Sequence, residues 1–133
     1  MLTHIDRRYL DQVWPAVAPM LAQAVEKNHG EGDLAQLRAQ VAYGGAELLV
    51  WQEKPEDAIR AVATVEWKQY PNYRAAWVSY MSGHEMAGAM GEVREWAKQQ
   101  GASKIECLCG KAQAKLFEQR GFAEAYRLMR YDL

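Results

Sequence analysis

The stretch from Tyr73 to Phe122 constrains this chain more than any other. It reads as a strand, a glycine-bearing turn, an amphipathic helix, a second strand and a short helix. Arg120-Gly121-Phe122 then leads into a last strand. A strand–helix–strand unit within one sheet implies a right-handed parallel crossover. Three strands come before the helix: Ala46 to Gln52, Ile59 to Lys68 and Arg74 to Met81. Short turn sequences, Lys54-Pro55-Glu56-Asp57 and Tyr70-Pro71-Asn72, separate them. That spacing predicts successive antiparallel hairpins. Together these features predict an α/β (α+β) chain, with a mixed, mostly antiparallel sheet flanked by helices and one parallel crossover.

The first 45 residues read as helical after a short strand, Leu2 to Ile5. Asp6 is a candidate N-cap for a helix running to about Asn28. Val13, Val17, Leu21 and Val25 recur at four-residue steps and form one apolar face. Pro15 and Pro19 each remove a backbone donor. They predict an irregular first turn, with the main helix starting near Pro15. Asp33 caps a second helix carrying Leu34, Leu37 and Val41, and Gly44-Gly45 ends it. Further along, a helix is predicted from Glu85 to Gln100 with Gly101 at its C-terminal cap. A strand from Lys104 to Cys109, a helix from Ala112 to Gln119 and a strand from Ala123 to Tyr131 follow.

At 133 residues, half of them apolar, the chain is predicted to fold as one domain, 1–133, with a real core. The formal net charge is −1 and the basic residues are scattered, which argues against a nucleic-acid binder with a cationic face. Charges interrupt every apolar run, so no membrane span is predicted. The N-terminus lacks the apolar core of a signal peptide. The expected location is the cytoplasm, where thiols stay reduced. Cys107 and Cys109 fall on one face of a predicted strand and read as small buried hydrophobes; a redox or metal role is the alternative. No metal is expected.

Two segments, EWAKQQGASKIECL and KLFEQRGF, carry a resemblance to the Gcn5-related N-acetyltransferase (GNAT) superfamily. The resemblance implies a fold whose fourth and fifth strands splay apart to admit acetyl-CoA. Family members carry Arg/Gln-x-x-Gly-x-Gly/Ala between the fourth strand and the next helix. The glycines let backbone approach the pyrophosphate, and free N–H groups with the helix N-terminus hold its charge. Anchored on Glu95–Ala102, the arginine position falls on Met81 and the glycine positions on His84 and Met86. Ser82 and Gly83 supply what is loop-like. A shifted register would align Gly88 and Gly91 but shorten the helix by more than a turn. Ser82 also reads as an N-cap with Glu85 three residues on, a capping-box spacing that would satisfy the helix's own donors. The cofactor-binding candidates implied are Met81, Ser82, Gly83, His84 and Lys111.

The family's second signature, Asn-x-x-Ala-x-x-Leu-Tyr-x-x-x-Gly-Phe, is half kept. Leu116, Gly121 and Phe122 match it, while Gly110, Gln113 and Phe117 replace its asparagine, alanine and tyrosine. Gly121 is expected to end the helix and Phe122 to pack under the sheet. Phe117 keeps the packing of the tyrosine and loses its proton. Direct transfer to an amine needs a base or a water chain. Glu66, in mid-strand, is the carboxylate candidate; a solvated strand residue is its plainer reading. Tyr80 is a candidate substrate contact or a packing residue. His84 is a base, an anion donor or an exposed turn residue, and Lys111 a phosphate contact or a solvated lysine. Trp51, Trp67 and Trp77 on the three hairpin strands form an aromatic layer or an exposed patch if they share a face.

The wider run, from YGGAELLVWQ through YMSG to KLFEQRGF, resembles GNAT-like proteins encoded by tailed phages and prophages. That resemblance implies weak or lost acetyl-CoA binding and a binding or virion-assembly role with a phage or host protein partner. The location is then the cytoplasm or the virion. The alternative is an acetyl-CoA-dependent N-acyltransferase acting on a small amine or a protein amine.

Overall fold

The computed structural model describes residues 1–84 and 86–133, apart from the side chains at positions 86 and 87. Strand β1 (Leu2–Ile5) is followed by a 3₁₀ turn at Arg7–Tyr9 and by helices α1 (Leu10–Val25) and α2 (Leu34–Ala42). Strands β2 (Glu47–Trp51), β3 (Ala61–Gln69) and β4 (Arg74–Gly83) come next. Helix α3 (Met86–Gln99), strand β5 (Lys104–Cys107) and helix α4 (Lys111–Glu118) complete the order. The five strands form one sheet in the order β1-β2-β3-β4-β5. The first four pair antiparallel, and β4 pairs parallel with β5. This is the mixed sheet with one parallel crossover that the sequence predicts.

Helix α1 packs on one face of the sheet. Leu10, Trp14, Val17, Leu21 and Val25 are buried against Leu48, Val50 and Val62, together with Leu37 and Val41 of α2. The helix starts at Leu10, ahead of the start expected near Pro15, and holds both prolines inside it. The reason is their spacing. Pro15 and Pro19 stand one turn apart on the exposed side. The carbonyls they leave without partners, on Asp11 and Pro15, therefore turn to water while the apolar side stays intact. Asp6 caps the 3₁₀ turn through Arg8 N–H. Asp33 and Gln36 close a capping box on α2.

Helix α3 covers the opposite face. Leu49, Ala63, Val65, Ala76, Val78, Ala97 and Ala102 form a second core there. Trp67 stacks on Trp96 of α3 at 5.3 Å between ring centroids, and the Trp51 indole donates to Glu92 at 2.7 Å. Trp77 stands on the other face, opposite Glu66, so the hairpin tryptophans divide two to one. Gly101 takes φ +86° beyond α3, as its place after the helix predicts.

Two expectations near the C-terminus need correction. Residues 123–131 form no strand. No residue after Ala102 is fully buried, and Tyr126, Leu128, Met129 and Tyr131 are exposed. The tail is drawn instead to the α1–α2 loop, where Arg130 donates to the His29 carbonyl and to Glu31 at 3.2 and 2.9 Å. A run with apolar groups on both sides and nothing to cover either gains little from joining the edge of β5. Phe122 does not pack under the sheet; its ring rests on Phe117 at 5.1 Å. Gly121 does end α4 with a positive φ of +91°.

Candidate functional site

The sheet opens where the parallel pair ends. Pairing of β4 with β5 runs from Ala75↔Lys104 to Val78↔Cys107 and stops. Past Val78, β4 stays bonded to β3 only. A bulge sits at this point. Thr64 pairs with Tyr80 and Val65 with Val78, so Ser79 is an extra residue on β4. Bulges bend a strand and re-aim the side chains beside it. The Ser79 hydroxyl settles on Thr64, 2.7 Å from its hydroxyl and 3.2 Å from its carbonyl, and Thr64 is fully buried.

The opening belongs to a broad concavity of about 2710 Å³, walled by β4, β5, α4, the α1–α2 loop and the C-terminal tail. Glu66, Tyr80, Met81, Ser82, Gly83 and Lys111 all line it, so the structure brings most of the predicted site residues to one depression. They do not converge on one point. Met81 packs toward α3 with the second core. Ser82 is a strand residue opposite Val62, not the N-cap of α3, because β4 continues past it to Gly83. Glu85, its expected capping-box partner, lies outside the described residues, as does the side chain of Met86. His84 is exposed. Lys111 is the first residue of α4, at the far end of β5 from Lys104.

The β4–α3 connection decides what the upper end of the opening can hold. Gly83 pairs with Ala61, and the next N–H, that of His84, donates to the Arg60 carbonyl at 2.8 Å. Gly83 has φ +118°, and a Cβ there would stand 2.2 Å from the same carbonyl. Gly83 is therefore required by the sheet and turns no cradle toward a ligand. The first helical residue is Met86. A pyrophosphate cradle needs several free N–H groups and room beside them. Two groups ahead of α3 are already committed: Gly83 is pressed on β3 and the His84 N–H is spent on the Arg60 carbonyl.

Below the opening, three side chains share a row across the sheet: Glu66 on β3, Trp77 on β4 and Glu106 on β5. Lys68 Nζ lies 4.0 Å from the centre of the Trp77 ring, a cation–π contact. Tyr73 donates to Glu106 Oε2 at 3.1 Å. Burial, the hydrogen bond to Glu106 and its negative charge all raise the pKa of the Tyr73 phenol. Burial, then the approach of Cys109, pushes the Cys107 thiol up to about 11, so it stays protonated at neutral pH. Among the described residues no group of His, Cys, Asp and Glu side chains could hold a metal ion, and no helix is long and apolar enough to cross a membrane.

Tyr80 has the best-defined surroundings. Its ring packs against the α1 core and its hydroxyl accepts from Asn28 Nδ2 at 3.0 Å. The same amide donates to the Gly32 carbonyl at 2.8 Å, while Asn28 Oδ1 accepts from Gly30 N–H at 3.1 Å. Sequence reasoning missed Asn28 because Lys27-Asn28-His29-Gly30 reads as an ordinary helix end. It missed Glu106 and Trp77 because their alignment with Glu66 exists only through strand register.

No family model matches the sequence, and no curated protein does. Solved structures do. A probable acetyltransferase superposes with a TM-score of 0.70 at 13% identity, covering 100% of this chain and 97% of its own. A tetramutant of the BH1408 protein from Bacillus halodurans gives 0.69 at 14%, covering 100% and 99%. The ribosomal-protein-alanine N-acetyltransferase of Brucella melitensis biovar Abortus 2308 gives 0.67 at 16%, covering 98% and 99%. Identities this low speak for the fold alone. The mixed five-stranded sheet, its parallel β4–β5 pair and these superpositions make this a chain with the GNAT fold.

Proposed function

We propose that this chain is a GNAT-fold binding protein in which the pyrophosphate end of the acetyl-CoA site is closed. The observation that carries this is the commitment of Gly83 and the His84 N–H to β3. Acetyl-CoA then loses what Gly83 and the His84 N–H would contribute to holding its most highly charged group. The concavity and the exposed apolar residues of the tail remain as a contact surface. The resemblance to phage and prophage proteins points to a phage or host protein as its partner, in a virion-assembly role. Proteomics of purified particles checks this, and absence of the chain from them removes the virion role. Calorimetric titration tests the cofactor claim. The expected dissociation constant for acetyl-CoA is above about 1 mM, weaker than about −4 kcal/mol. Micromolar binding would overturn it.

A second reading is acyl transfer to a small amine or a protein amine. The opening of β4 from β5 beside a half-buried Glu66 favours it. Glu66 would take the proton from the amine, a role typically worth about 10²–10⁴-fold in rate. Phe117 supplies no proton. If Glu66→Gln keeps the full rate over a panel of amines, Glu66 is a strand residue only.

A further inference from the structure

The two cysteines stand where β5 ends. Sequence spacing puts both in the strand, but pairing with β4 stops at Cys107, opposite Val78. Cys107 is half-buried and Cys109 is exposed, so Cys109 is not the small buried hydrophobe that a strand position predicts. In an extended strand, residues two apart hold their Cα atoms about 6.6 Å apart, and their Cβ atoms point the same way at a similar separation. A disulfide needs its Cβ atoms about 3.5–4.5 Å apart. A cysteine pair inside a strand therefore cannot close. Here Leu108 and Cys109 lie beyond the strand, so the chain can bend between the thiols. The two are already in contact: the Cys107 S–H donates to the Cys109 sulfur. Among the described residues, no His, Asp or Glu joins them in a group that could hold a metal ion.

We infer that Cys107 and Cys109 form a reversible disulfide, a redox site at the junction of β5 and α4. The oxidant is a small disulfide such as glutathione disulfide. Cys109 is the exposed thiol and attacks first, as the thiolate. Its sulfur bonds to one glutathione sulfur, the S–S bond of the oxidant breaks, and one glutathione leaves. Cys107 then attacks the Cys109 sulfur, the mixed disulfide breaks, and the second glutathione leaves. The two cysteine protons end on the two glutathiones. The protein gives up two electrons and the glutathione disulfide takes them. An exposed thiol beside a resolving thiol is the arrangement such a site requires. The closed ring fixes the bend at Leu108, on the wall of the concavity. Neither thiol takes part in either function proposed above.

The full chain is equilibrated with mixtures of reduced and oxidised glutathione, and its free thiols are capped with N-ethylmaleimide. Trypsin cuts after Lys104 and Lys111 and releases both cysteines in one peptide, 105–111. The expected product is that peptide lighter by two hydrogens, with neither maleimide nor glutathione attached. Cys107→Ser should stop at one glutathione on Cys109. Cys109→Ser should leave Cys107 free and capped. The same equilibrium is measured in urea, where only the flexibility of the unfolded chain closes the ring. The folded parent is expected to favour the disulfide at least about tenfold more than the unfolded parent, because the fold already holds the two sulfurs together. A smaller preference means that the fold does not prepare the pair, and overturns the redox site. So does a parent that keeps glutathione on Cys109 with Cys107 free, or one that links two chains. Glutathione on Cys107 in Cys109→Ser, formed as readily as on Cys109 in Cys107→Ser, overturns the order of attack.

Discussion

At the scale of single residues, the chain separates atoms committed to the fold from atoms left free. Glu92 is among the committed. Burial works to raise its pKa, but the Trp51 indole, Leu2 N–H and the N-terminal ammonium outweigh it and hold the carboxyl below its ordinary 4.5. A lowered folded-state value means the carboxylate stabilises the fold above about pH 4.5. That contribution is lost as pH falls through the folded value. Glu92→Gln should therefore melt below the parent at neutral pH, with the gap narrowing only under pH 4.5. Melting curves from pH 7 to pH 3 check this, and a gap constant over the whole range would remove the ionic contribution. Tyr80 shows how far a residue can be read in sequence. Its place near the end of a strand was legible. Its hydrogen bond from Asn28 was not, because Asn28 stands 52 positions away.

At the scale of elements, local pattern and tertiary contact mostly agree. Helix α2 begins at its capping box, Gly101 follows the end of α3, and β3 gives Val62 to one core and Ala63 and Val65 to the other. Disagreement arises where an element's limit depends on a neighbour. Strand β4 continues to Gly83 because β3 supplies partners that far, and this shortens the connection to α3. Gly83→Ala tests the point. The added Cβ would meet the Arg60 carbonyl at 2.2 Å, in a conformation with φ +118°. Backbone that must shift at such a position costs about 1–3 kcal/mol. Urea denaturation should show that loss with an unchanged m-value. An alanine variant as stable as the parent would mean the connection is free to move, which would also weaken the closed-cradle argument.

At the scale of the whole molecule, the sheet and its two helical layers hold the core, and the C-terminal tail contributes little to it. No residue after Ala102 is fully buried, and α4 has no buried residue. Removing residues 123–133 should therefore change stability by less than about 1 kcal/mol, or under about 4 °C in melting temperature. A much larger loss would mean the tail is a strand in solution, as the residue pattern alone suggests. By itself the sequence determined the order of elements as far as α4, the parallel crossover, the Asp33 and Gly101 caps and the apolar faces. Those follow from periodicity and from residues with restricted backbones, which act within a few positions. Only the tertiary structure decided that β4 absorbs the loop before α3, that Asn28 donates to Tyr80, and that Glu66, Trp77 and Glu106 share a row. Each of these joins residues distant in the chain through strand register or loop closure, and that pairing is set by the packing of the sheet as a whole.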